Sequence, residues 1–147
     1  MSMKLAFAMT VFICTVIYSK NRYVAIKTKL SAYQKLEEFA KNSFINLNGR
    51  FEDISSILSR SFDMPIQTNT STEPWNALGF SDNECKEIMD YIINYNQLDI
   101  TALRKASAKF SEHATALRQK REEEYKKISP SLLCPPICAL IAMILII

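Results

Sequence analysis

The chain has 147 residues, enough for one domain of ordinary size. Two Gly and five Pro disfavour a turn-rich β fold and suit long helices. A net charge of +3 is too mild to argue for nucleic acid, and four Cys with one His make neither a disulfide framework nor a zinc set.

The first 18 residues read as an uncleaved signal anchor. Lys4 gives a short positive start, and Leu5 to Tyr18 is the apolar core. No A-x-A-like cleavage site precedes Ser19-Lys20. The core is short, about 21 Å of helix against roughly 30 Å of hydrocarbon. Lys4 and Lys20 can snorkel, and Tyr18 and Tyr23 suit the interface. Lys20, Arg22, Lys27 and Lys29 follow this run, where anionic headgroups attract them. By the positive-inside rule the body is expected in the cytoplasm, with the N-terminus outside.

Residues 19–62 read as one long amphipathic helix. Ile26, Leu30, Tyr33, Glu37, Ala40, Phe44, Leu47, Phe51, Ile54 and Leu58 recur at steps of four and three, a coiled-coil-like seam. Only Glu37 is polar. Asn48-Gly49 is the weak point, but the register passes through it, so a continuous helix bent at Gly49 is expected. Met64-Pro65 stops it. The seam residues Leu30, Tyr33, Ala40, Phe44, Leu47, Phe51, Ile54 and Leu58 are the candidate interaction surface.

Residues 63–83 read as a linker broken by Pro65 and Pro74. Trp75, Leu78 and Phe80 are expected to fold back as a small lid. Asn69-Thr70-Ser71 matches a glycosylation sequon, relevant only if the body lies outside. Ser81 and Glu84 form a capping box that opens the returning helices, 84–128. Cys85, Ile88, Met89 and Ile92 share one face; the pattern loosens at Asn94 to Gln97, and Asp99 caps the next helix. A second seam follows, through Ile100, Leu103, Ser107, Phe110, Ala114, Leu117, Arg121, Glu124 and Ile128. Ser107, Arg121 and Glu124 interrupt it. Pro130 is expected to end the helix.

Residues 129–147 form the second apolar segment, opened by Cys134-Pro135-Pro136. Arg118, Lys120, Arg121, Lys126 and Lys127 precede it, again placing the body in the cytoplasm and both termini outside. A helix starting at Pro136 is about 17 Å long, short for a span. Cys14, Cys85, Cys134 and Cys138 are read first as small apolar filler. Cys134 and Cys138 are the candidates for S-palmitoylation.

The fold class expected is all-α: a membrane-anchored antiparallel hairpin or small bundle. The first arm and the summed returning helices are each about 65 Å, so a nearly collinear return arm matches the first. The linker then lies at the tip far from the bilayer.

No phosphate loop, HExxH, CxxC pair or nucleophile elbow occurs. Glu122-Glu123-Glu124 reads as a solvated face, and His113 as a surface or boundary residue. No catalytic, metal or cofactor residue is assigned. A short anchor, a basic turn and a long amphipathic helix resemble the layout of bacterial LemA-like proteins. The stretch Ile45 to Ile54 is loosely similar to their first-helix signature, with Ser55-Ser56 where a Pro normally follows. No functional residue is carried over.

The function expected is that of a non-enzymatic membrane-anchored scaffold. Its partners would be the lipid bilayer and either a second copy or a helical protein, with no nucleic acid and no cofactor. The alternative is a membrane-perturbing factor acting through its two short apolar ends.

Overall fold

A computed structural model describes residues 3–47, 49, 52–62 and 72–146. The chain is all-α: 90% of the described residues are helical, and they contain no strand. The helices are α1 (Met3–Asn46), α2 (Ile54–Phe62), α3 (Glu73–Ala77), α4 (Asp82–Tyr95), α5 (Ile100–Ile128) and α6 (Cys134–Ile146), with a 3₁₀ turn at Ser129–Leu133. They form two compact units, Lys29–Arg121 and the pair Met1–Thr28 with Glu122–Ile147.

The single helix expected over 19–62 is two helices. α1 ends at Asn46, and α2 starts at Ile54. α1 stops three residues before Gly49, a poor helix former. The reversal leaves the heptad pattern intact because each helix keeps burying its own apolar face. α2 then runs back beside α1. Lys35 Nζ donates to the Phe62 carbonyl at 3.5 Å, and the Phe39 and Phe62 rings lie 6.5 Å apart.

α4 and α5 are not collinear either. The turn Asn96 to Asp99 reverses the chain, so the two helices lie side by side. Tyr91 of α4 stacks on Phe110 of α5 at 4.1 Å, and Glu87 pairs with His113 at 2.8 Å. Against α1, α4 runs parallel: Tyr33 contacts Glu84, and Ser43 contacts Tyr91. α5 runs antiparallel: Arg104 reaches the Leu47 carbonyl, and Arg118 reaches Glu37. Four helical segments thus alternate in direction around one core.

The caps explain where the returning helices start. Ser81 Oγ accepts from the Glu84 amide, and Glu84 Oε2 accepts from the Ser81 amide at 2.7 Å. Asp99 Oδ1 accepts from the amides of Thr101 and Ala102 at 2.9 and 2.8 Å. α3 ends in a Schellman motif. The Phe80 amide reaches the Trp75 carbonyl and the Gly79 amide that of Asn76, with Gly79 at φ +92°, a conformation glycine adopts without a Cβ penalty. The motif turns Phe80 into the core, where its ring meets Tyr33 at 4.8 Å.

Of the linker expected at the far tip, residues 63–71 lie outside the described residues, and residues 72–81 pack into the Lys29–Arg121 unit. Trp75 and Phe80 are buried, Leu78 packs against the core, and Gly79 sits beside the Lys29 side chain. The expected lid is a plug in the core at the Lys29–Tyr33 end of this unit. The physical reason is the area of Trp75 and Phe80, too large to leave in water when the capped turn can bury it.

In the other unit the rings of Tyr23 and Tyr125 lie 6.1 Å apart. Pro130 ends α5 as expected, at Ile128, and the chain continues as a 3₁₀ turn. Pro130 sits in the first turn of the 3₁₀ segment, and Pro135 and Pro136 sit in the first turn of α6. Proline is tolerated at such positions because its missing N–H has no partner to lose there. The 3₁₀ turn and α6 together run about 30 Å, longer than the helix expected from Pro136 alone.

Candidate interaction and membrane-facing surfaces

The first seam is directed into the chain's own core. Tyr33, Ala40, Leu47, Ile54 and Leu58 are buried, and Leu30 and Phe44 are half-buried. Phe51 lies outside the described residues, as does the sequon at Asn69. The buried stripe is also wider than the seam, adding Ala32, Leu36, Phe39 and Ser43. A stripe of that width is the face of a bundle helix rather than a two-stranded coiled coil.

Glu37, Ser107 and Arg121, polar interruptions of the seams, each meet a polar group from another helix. Glu37 of α1 is 9% exposed. It pairs in charge with Arg118 Nε at 2.6 Å and accepts from Thr115 at 3.1 Å and from Lys41 at 2.8 Å. Burial pushes its carboxyl up, but these bonds and the nearby cations outweigh that and hold it below the ordinary carboxylate range. Ser43 and Ser107 are fully buried, and the Tyr91 hydroxyl joins them at 2.8 and 2.7 Å. Arg121 lies 5.0 Å over the Tyr33 ring and 3.6 Å from Glu84.

Glu84 therefore closes the α4 cap and accepts from the Tyr33 hydroxyl at 2.7 Å. Burial opposes its charge, yet the bonds from Ser81 and Tyr33 and the charge of Arg121 keep its carboxyl low. Burial, reinforced by Glu84, pushes the Tyr33 hydroxyl up to about 12. Ser107, Arg121 and Glu37 were readable as breaks in a pattern. Tyr91, which joins three helices, gave no signal beyond being an aromatic on an apolar face.

These clusters fix register, and their groups are occupied by one another. No group of three or more metal-ligating side chains occurs among the described residues. Cys85 is buried, and its thiol donates to Asn76 Oδ1 at 3.1 Å. Cys14, Cys134 and Cys138 are free and exposed.

The apolar ends present the opposite pattern. Phe7, Ile13 and Ile17 on α1, and Leu133, Ile137, Ile141 and Ile144 near the C-terminus, each expose more than half their surface. The helical run Ile100–Ile144 is long and apolar enough to cross a membrane, and its apolar window is wholly unburied within the chain. Comparison with protein-family models, curated proteins and solved structures finds no match to the chain. The LemA-like resemblance thus rests only on the residues quoted for it.

Proposed function

We propose that this is a non-enzymatic, membrane-anchored helical scaffold, with both apolar ends seated in one bilayer and the Lys29–Arg121 unit held in water as a small antiparallel bundle. The observation that carries the reading is the contrast in side-chain placement. Apolar residues of the Lys29–Arg121 unit fill its core, while those of the two ends point outward along whole helices. In water that exposure is unfavourable by roughly 25 cal/mol per Å² of apolar surface. In hydrocarbon it is the expected arrangement, since helices satisfy their own backbone polar groups. The basic residues flanking both ends support a cytoplasmic body by the positive-inside rule.

Interaction with a second copy or a helical partner is part of this reading. The first seam is largely occupied within the chain, so its remaining contribution is the half-buried Leu30 and Phe44, with the exposed Ile45 adjoining in sequence. The carboxylates of Glu37 and Glu84 serve as ties between helices, which supports a structural role over a catalytic one. The test is extraction of the full chain from native membranes. It should resist alkaline carbonate and leave only with detergent; release by carbonate would contradict the anchor.

A further inference from the structure

We propose that the unit formed by the two chain ends holds one anionic phospholipid, an inference that rests on the membrane reading above. Between α1 and the 3₁₀–α6 segment lies an open cleft of about 360 Å³, lined by Val16, Ser19, Lys20, Tyr23, Ser129, Leu132, Leu133 and Pro136. That volume is at the lower end for ligand pockets, roughly 300–1,000 Å³, which are mostly apolar with a few placed polar groups. The cleft has that division. Ser19, Lys20 and Ser129 supply hydroxyls and a cation, while Val16, Leu133 and Pro136 supply an apolar wall.

A second observation points to a ligand. Ser19 is 9% exposed, and its hydroxyl has no hydrogen-bond partner among the described residues. A buried hydroxyl without a partner is costly, and a phosphate oxygen would accept its proton. Lys20 would neutralise the phosphate, and Ser129, whose hydroxyl bonds that of Tyr125, lines the cleft beside it. One acyl chain would follow the apolar wall. The occupant is a lipid rather than free phosphate because most of the lining is apolar.

The experiment reconstitutes the full chain in nanodiscs of mixed phosphatidylcholine and phosphatidylglycerol, then counts retained lipids by native mass spectrometry. One phosphatidylglycerol per chain should be kept in preference to phosphatidylcholine. Lys20→Gln and Ser129→Leu should each reduce its retention about tenfold, a loss of one lipid contact of about 1.4 kcal/mol. Arg22→Gln, a change of equal charge outside the cleft, should leave retention unchanged. Equal retention of the two lipids, or retention unaffected by Lys20→Gln and Ser129→Leu, would overturn the site. Displacement by inorganic phosphate alone would overturn its acyl half. A chain that fails to enter the nanodisc contradicts the membrane reading and this site together; one that enters and keeps no phosphatidylglycerol overturns the site alone.

Discussion

Glu37 is a carboxylate buried in a core, and Ile141 is a branched alkyl group left bare. Both break the ordinary rule for proteins in water. The reasons differ, and the difference separates the two units. Glu37 is tolerated because Arg118, Thr115 and Lys41 replace its water. Ile141 has no such replacement within the chain, and neither have Ile137 and Ile144 on the same helix. A buried charge with three partners identifies a unit that folds against itself. A helix apolar on every side is one that a larger protein or a membrane covers, and we propose the membrane here.

The contrast is tested most severely by removing one large apolar side chain from each unit. Phe39 is fully buried and touches Phe62, Tyr91 and Phe110. Phe39→Ala should cost about 3–5 kcal/mol by the usual cavity penalty. Ile141→Ala should leave the stability of the Lys29–Arg121 unit unchanged. Thermal unfolding in mild detergent, read by near-ultraviolet circular dichroism, separates the two outcomes.

Glu37→Ala should come next. It leaves the Arg118 side chain, about a quarter exposed, without its carboxylate partner. The expected cost is about 1–3 kcal/mol. A companion Arg118→Met should recover part of it, because replacing both members of a buried pair is far less costly than removing one. Denaturant titration of the single and double variants gives the coupling.

Tyr91→Phe keeps the ring on Phe110 and removes only the hydroxyl between Ser43 and Ser107. A loss of about 1 kcal/mol is expected. Adding Ser43→Ala and Ser107→Ala should lessen the defect, since no buried hydroxyl then lacks a partner.

The smallest effect is the dependence on pH. Glu37 and Glu84 are held below the ordinary carboxylate value of 4.5. Their stabilisation is therefore present above that value and lost as pH falls through the lowered ones. Tyr33 has the opposite sign. Its hydroxyl is raised from 10.0 to about 12, so its contribution is whole below 10.0 and lost as pH rises through about 12. Melting temperature should be flat between these limits and fall at both ends. A Tyr33→Phe variant should lose part of the alkaline fall, since burial also raises the hydroxyls of Tyr91 and Tyr95.

Much of the helical content was legible because it is local. Ser81 with Glu84, and Asp99, announce helix starts by side-chain chemistry within three residues. Trp75 and Phe80 were readable as a fold-back because large aromatics in a polar stretch seek cover. The direction of each helix was not legible. A heptad pattern reports which face is apolar and says nothing of whether the next helix continues or reverses. Thus Leu47 and Ile54 looked like one seam across Gly49, although α1 ends at Asn46, just before Leu47, and Ile54 opens α2. The same ambiguity made α4 and α5 look collinear. The prolines carry a second ambiguity: Pro130 ends α5, but Pro135 and Pro136 fall in the first turn of α6, where a helix accepts them. The tie through Tyr91 depends on three helices meeting, which no local pattern encodes.

The central claim is that the two ends lie in hydrocarbon and the Lys29–Arg121 unit in water. Its most direct test is electron paramagnetic resonance on the full chain in nanodiscs, with single spin labels at Ile13, Ile141 and Lys105 in a background lacking the native cysteines. Relaxation by oxygen, which concentrates in the acyl region, is compared with relaxation by a water-soluble nickel chelate. Labels at Ile13 and Ile141 should respond to oxygen and scarcely to nickel, and the label at Lys105 should do the reverse. Strong nickel relaxation at both Ile13 and Ile141 would contradict the account.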